Sequence, residues 1–383
     1  MKINLNRCIL FVVPAIMGLT EVQAQTTKEV KEPGINVAFF DTKTKPQDNF
    51  FRFVNGTWLD QTQIPSDRTS WGSFNELLKK TDKDALDILK EAAKNPIYKS
   101  NTDQGKAVNL YKTILDTVAR DKMGIKPLLP YLAKIDKVKS VKDLQQLLIE
   151  MEPVGGIGFV NVGVGADDKN STKNALKLGV GSLGLPDQDY YLSEDKDTKE
   201  KRDLYEKHVA RMLQFIGETA AQAKVSAAKI LALEVQMSKP RLSRVERRDD
   251  RLQYNPMTIA ELQKLTPAIN WKTYFDGIGF AKLDTVIVSQ PKYMKALQTI
   301  FTENNVEAWK AYLKWSLLNS ATSLLSTPIE MASFDFYGKT LTGAIQQRPR
   351  EDSALQTING AVGEALGKLY VEKKFPAEAK VKA

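Results

Sequence analysis

Residues 156–184 read GIGFVNVGVGADDKNSTKNALKLGVGSLG. Apolar residues alternate with small or polar ones on both sides of a polar turn at 167–172. That is the period-two pattern of a β-hairpin with one face on a core. Pro186 and the DQDYYL that follows close the segment. To either side the apolar spacing changes to three and four. Helices are expected at 73–93 (Phe74, Leu77, Leu78, Ala85, Ile88 and Leu89 on one face), at 104–121 (Val108, Tyr111, Ile114, Leu115, Val118), at 127–135, and at 141–151 behind a Ser140 cap. Further helices are expected at 199–218, 226–237, 293–303, 305–325 and 355–373, and at 258–265, where Thr258 and Glu261 have capping-box spacing. The segment 48–59, DNFFRFVNGTWL, starts helical and is expected to break at Asn55-Gly56. The fold class is therefore mainly α: a large multi-helix lobe with one small β-hairpin insertion at about 156–182. No repeat of fixed period and no low-complexity linker divides it.

With 383 residues, 42% hydrophobic and 26% charged, the chain has the composition of a folded globular protein. Residues 1–24 read as a secretory signal peptide. Lys2 and Arg7 form the basic start, 9–20 the apolar stretch, and Val22-Gln23-Ala24 the cleavage site. The apolar stretch carries Pro14 and falls short of the roughly 20 residues a membrane span needs. A flexible leader is expected at 25–35, a secreted or periplasmic location follows, and no membrane span is expected after cleavage. The one cysteine, Cys8, lies in the segment to be removed, which excludes disulfides, thiolate metal sites and a cysteine nucleophile from the mature chain.

The formal net charge is +9, with 55 basic residues scattered among 46 acidic ones. The densest basic run, 241–251, also holds Glu246, Asp249 and Asp250 and reads as a solvated, salt-bridged segment. A nucleic-acid surface would need a stripe of one sign with aromatic residues interleaved, so no nucleic-acid partner is expected.

Candidate chemistry is sparse. The single histidine, His208, sits on or beside the apolar face of the 199–218 helix and reads as a hydrogen-bonded structural histidine. Catalytic zinc usually takes three protein ligands and an open water position, and no His-Glu-x-x-His occurs. No Gly-x-Ser-x-Gly elbow offers a serine nucleophile. Gly179, Gly181 and Gly184 match Gly-x-Gly-x-x-Gly, but Leu185-Pro186-Asp187 follows where a phosphate-binding helix should begin. The glycines read as places of close strand packing. Asp167-Asp168-Lys169-Asn170 resembles the start of a calcium loop without its later glycine and glutamate. Asp187 and Asp189, two apart in a turn, have no defined mutual geometry.

Four stretches taken together resemble the neprilysin and endothelin-converting-enzyme family of zinc metallopeptidases. They are DNFFRFVNGTWL at 48–59, LGLPDQDYYL at 183–192, YNPMTIAELQKLTPAINW at 254–271 and GEALGKLYVEKKFPAEAK at 363–380, in the family's order. The resemblance covers roughly 36–380. It implies secreted or membrane-anchored zinc endopeptidases acting on short peptides, with a helical lobe that covers a catalytic lobe and restricts what enters. The 48–58 region would belong structurally with the catalytic half. The family's His-Glu-x-x-His helix and later glutamate ligand lie beyond the Gly-Glu-Ala-Leu segment, near which this sequence ends. No catalytic, cofactor-binding or metal-ligating residue is therefore carried over. Glu364 and Glu372 match the family's sequence but are neither its ligands nor its base, and Glu364 reads as a helix-surface charge. The expectation is an N-terminal helical domain over 36–383, truncated before the catalytic zinc domain and inactive alone, with zinc and peptide substrates belonging to full-length members. The alternative is a stand-alone secreted protein that reuses the lobe to bind peptides or a partner.

Overall fold

In a computed structural model, residues 34–375 and 378–379 are described. The expected signal segment 1–24 lies outside them, as does nearly all of the 25–35 leader. The chain divides into two units, one ending at Gln63 and one beginning at Ile64.

In the first unit a single turn of 3₁₀-helix, Val37–Phe39, precedes an α-helix, Phe50–Gln61. Asn49 caps that helix by accepting from Arg52 N–H at 2.9 Å. The expected break at Asn55-Gly56 does not occur. A Cβ on Gly56 would lie 2.4 Å from Asp41 Cβ, so this glycine admits a crossing loop and leaves the helix intact. The same loop is tied down by Thr57, which donates to Phe40 O (2.8 Å), and by Arg52, which donates to Asp41 (3.3 Å).

The second unit holds two hydrophobic cores. One unites Ser73–Lys94, Asp103–Leu115 and Arg350–Lys374 around Leu89, Ala107, Ala354 and Ile358. The expected 104–121 helix ends early. Asp116 accepts from Ala119 N–H (2.9 Å) and starts a new helix, Thr117–Met123, which leaves Val118 exposed. The larger core is built by Leu129–Asp136, Val141–Met151, Lys196–Phe215, Ala220–Ser238, Pro291–Ile300 and Val306–Ala321, with Trp309, Trp315 and Tyr205 at its centre. Ser140 caps its helix as expected, accepting from Asp143 N–H (3.1 Å), and the Thr258–Glu261 capping box forms. Helices at Trp271–Gly277 and Thr327–Ser333, and a π-helix at Phe334–Leu341, were not legible as separate elements.

The β insertion is present and larger than expected. Strands β1 (Val160–Asp167) and β2 (Asn170–Val180) form the hairpin. Two four-residue strands, β3 (Asn255–Thr258) and β4 (Thr285–Val288), extend it to a sheet of order β1-β2-β4-β3. β4 runs parallel to β2, pairing Leu178 with Val288. Pro256 is tolerated in β3 because that strand lies at the sheet edge.

Arg120 locks the Thr117–Met123 helix to the turn before Thr327–Ser333. Its guanidinium donates to the carbonyls of Ser323 (2.9 Å), Leu324 (3.4 Å), Ile114 (3.4 Å) and Leu325, and lies 3.5 Å from Glu330. A lysine has one donor head where this site uses a fork. Arg120→Lys is expected to cost about 2–4 kcal/mol, by leaving buried carbonyls without donors. A shift of the urea midpoint at constant slope is the measurement.

Candidate functional site

Two ionisable side chains buried in the larger core, His208 and Glu234, bear on chemistry. His208 is 5% exposed, stacks on Phe336 (4.8 Å between centroids, 11° between planes) and meets Trp315 and Tyr337 edge-on at 5.6 and 5.4 Å. Its Nε2 is enclosed and has no hydrogen-bond partner. The expected hydrogen-bonded histidine is therefore an aromatic-packed one. Burial, reinforced by the Arg211 charge and opposed by Asp335, pulls its pKa down to about 3, so the ring is neutral at neutral pH.

Glu234, on Ala220–Ser238, is fully buried. Its Oε1 accepts from Gly184 N–H (3.0 Å) and its Oε2 from the Tyr191 hydroxyl (3.1 Å). Burial pushes its pKa up to about 7 against the pull of those hydrogen bonds, of Tyr205 and of the Arg241 charge. The same loop is gripped from other elements. Tyr312 donates to Ser182 O (2.8 Å), Tyr337 to Gly184 O (3.0 Å), and Leu185 N–H to the Tyr191 hydroxyl (2.8 Å). These hydrogen bonds hold residues 182–185 in place. The network positions a loop and holds no nucleophile–base pair. One signal was available in the sequence: Glu234 falls on the apolar stripe of Ala227, Ile230 and Met237, where a charge is out of place.

The loop also walls a cleft of about 330 Å³, with Arg241, Arg247 and Gln290 among its other lining residues. The three glycines of the Gly-x-Gly-x-x-Gly match serve packing at two points. A Cβ on Gly181 would meet Gly158 O at 2.1 Å, and one on Gly184 the Tyr205 hydroxyl at 1.8 Å. Asp167 accepts from Lys169 N–H (2.8 Å) and from the Tyr254 hydroxyl (3.0 Å), while Asp168 pairs with Lys177 (2.7 Å), which makes that segment a hairpin turn. Asp187 accepts from Asp189 N–H (3.0 Å) in another turn. Glu364 is exposed on the last helix, and Glu372 accepts from Tyr98 (3.2 Å) and Gln104 (2.8 Å). The 241–251 run is less salt-bridged than expected. Of its arginines, Arg251 alone pairs with a carboxylate among the described residues (Asp249, 2.7 Å).

One surface is out of keeping with a closed fold. Ser73–Lys94 buries Ala85, Leu86, Ile88, Leu89 and Ala92 along its later turns. On its first turns Phe74, Leu77 and Leu78 are 87%, 62% and 50% exposed. Positions i, i+3 and i+4 form one helix face, so these three make a continuous apolar stripe open to solvent.

The model of the N-terminal region of peptidase family M13 matches residues 46–383. The chain belongs to peptidase family M13. It is 30% identical over 351 residues to a neutral endopeptidase of Lactobacillus helveticus, covering 90% of this chain and 53% of that one. It is 26% identical over 361 residues to neprilysin-3 of Drosophila melanogaster, covering 89% and 45%. A Mycobacterium tuberculosis zinc metalloprotease solved with an inhibitor superposes with a TM-score of 0.82 at 30% identity, over 91% of this chain and 53% of that one. The chain thus spans about half the length of the curated relatives it matches.

Zinc is named for the Mycobacterium tuberculosis protein of known structure, and the residues described here do not fit it. The one histidine is boxed in by aromatic rings, and among the described residues no group of three His, Cys, Asp or Glu side chains is placed to hold a metal ion.

Proposed function

We propose that this chain is the substrate-restricting helical lobe of an M13 zinc endopeptidase and is inactive without a zinc-binding lobe. The observation that carries the reading is the exposed stripe of Phe74, Leu77 and Leu78. An apolar helix face of this kind calls for a partner. Relatives about twice as long, one named an endopeptidase and one a zinc metalloprotease, supply one: the half of those proteins that this chain does not span. The lobe occupies 36–383 in this reading, behind a cleaved signal at 1–24, and works in a secreted or periplasmic setting on peptides admitted to a second lobe.

Sedimentation of the purified chain tests this. The reading predicts self-association and binding of a hydrophobic dye. Both should be relieved by Phe74→Lys with Leu77→Lys, at no loss of melting temperature, because neither side chain is packed. A wild-type chain that is monodisperse and dye-silent contradicts the reading and favours a stand-alone binding protein.

A further inference from the structure

The loop held by Glu234 is tied down by hydrogen bonds, and the cleft it walls contains an arginine that pairs with no carboxylate among the described residues. Arg241 stacks on the Tyr293 ring (5.0 Å), and its Nε donates to Met237 O (3.1 Å), so the guanidinium plane is fixed. The Tyr293 ring is itself anchored, its hydroxyl donating to Phe159 O at 2.7 Å. Neither Nη of Arg241 finds an acceptor among the described residues, and Nη2 is wholly enclosed. Arg120, buried deeper in the same unit, shows the contrast, with four carbonyls and a carboxylate around its guanidinium.

Next to Arg241, the Gln290 side chain is 4% exposed and accepts from Leu242 N–H through Oε1 (2.8 Å), which leaves its amide nitrogen as a donor. Arg247 adds a second cation to the lining. The one carboxylate there, Asp187, is partly occupied by Asp189 N–H. The open Nη1 of a fixed guanidinium and a neighbouring amide donor can each take one oxygen of a carboxylate. Two acidic groups, Asp187 in the lining and Glu234 buried behind it, weigh against a dianion.

We propose that this cleft binds the carboxylate of a small ligand, with Arg241 as the anchoring residue and the C-terminal end of a short peptide as its occupant. At about 330 Å³ the cleft lies at the small end of ligand sites and suits a chain end better than a continuous strand. The inference stands apart from the proposed peptidase role, because binding is read on this chain with no zinc present.

The test is calorimetric titration of the whole chain at low salt with Ala-Ala-Ala as free acid, the same peptide as C-terminal amide, and sodium acetate. The free acid is expected to bind at least about tenfold more tightly than the amide. Acetate that competes, but more weakly than the tripeptide, assigns the site to peptide ends. Acetate that binds equally well keeps the carboxylate site and overturns the peptide assignment. Arg241→Gln, in a protein that still unfolds cooperatively, should weaken the free acid by at least about tenfold. If that variant fails to fold, Arg247→Gln, on an exposed side chain, decides through an expected loss of about threefold. Equal affinity for acid and amide, no binding of either at millimolar peptide, or undiminished binding in the folded variants overturns the proposal.

Discussion

Glu234→Ala is expected to bring the chain to the edge of unfolding. The substitution strands the buried Gly184 N–H and the Tyr191 hydroxyl, each at about 1–3 kcal/mol, and opens a cavity beside Tyr205. A loss of about 4 kcal/mol or more takes up much of a typical domain stability of roughly 5–15 kcal/mol. Glu234→Gln keeps an acceptor for Gly184 and should fold, and it isolates the titration. The buried Glu234 holds its proton up to about pH 7, against an ordinary value of 4.5 in the unfolded chain. Its contribution is complete below 4.5 and is lost as pH rises through 7. His208 acts in the opposite sense. It stays neutral down to about 3, against an ordinary 6.5, so its contribution is present above 6.5 and is lost as pH falls.

Between pH 4.5 and 6.5 the folded chain therefore binds one proton more through Glu234 and one fewer through His208. The two slopes, each about 1.4 kcal/mol per pH unit, cancel. In Glu234→Gln only the histidine slope remains. Its stability relative to wild type should rise by roughly 2 kcal/mol from pH 4.5 to 6.5. Denaturant unfolding at several pH values measures this, and parallel profiles for the two proteins would contradict it.

Gly184→Ala carries the second large effect. The new methyl group would lie 1.8 Å from the Tyr205 hydroxyl and 2.5 Å from its ring carbon. Tyr205 is fully buried and its hydroxyl accepts from Trp315 Nε1 at 2.9 Å, so the ring has nowhere to go. The Gly184 backbone is pinned on both sides, by Glu234 and by Tyr337. Overpacking of this kind costs about 3 kcal/mol or more. The expected result is a melting temperature lower by at least about 8 °C, or an insoluble product. Gly360→Ala is the control. It lies within Arg350–Lys374, its Cβ would meet nothing within 4 Å, and helix propensity should make it stabilising by up to about 1 kcal/mol.

Much of this fold is legible in the sequence wherever the signal is local. Ser140, and Thr258 with Glu261, announce their helices because a cap and its partner lie within four residues. The hairpin is legible because both strands and the turn are contiguous. What sequence reading missed depends on distant chain. Gly56 looks like a helix breaker until Asp41 is seen to cross it. β4 is a four-residue run whose partner in β2 lies more than a hundred residues earlier, so no hairpin signal marks it. His208 owes its environment to Trp315, Phe336 and Tyr337, none of them within its own helix. The 73–93 helix is the instructive case. Periodicity placed Phe74, Leu77 and Leu78 on an apolar face, which they occupy, but periodicity cannot say what covers that face. Arg241 was read with its charged neighbours as a solvated segment, and only its stacking on Tyr293 separates it from them.

In the function proposed above, this M13 chain contributes a lobe and not the chemistry. Hydrolysis of a fluorogenic peptide by the purified 383-residue chain, with added zinc and again with a chelator, tests it most directly. Equal, background rates are expected in both conditions. Turnover that depends on zinc would contradict it.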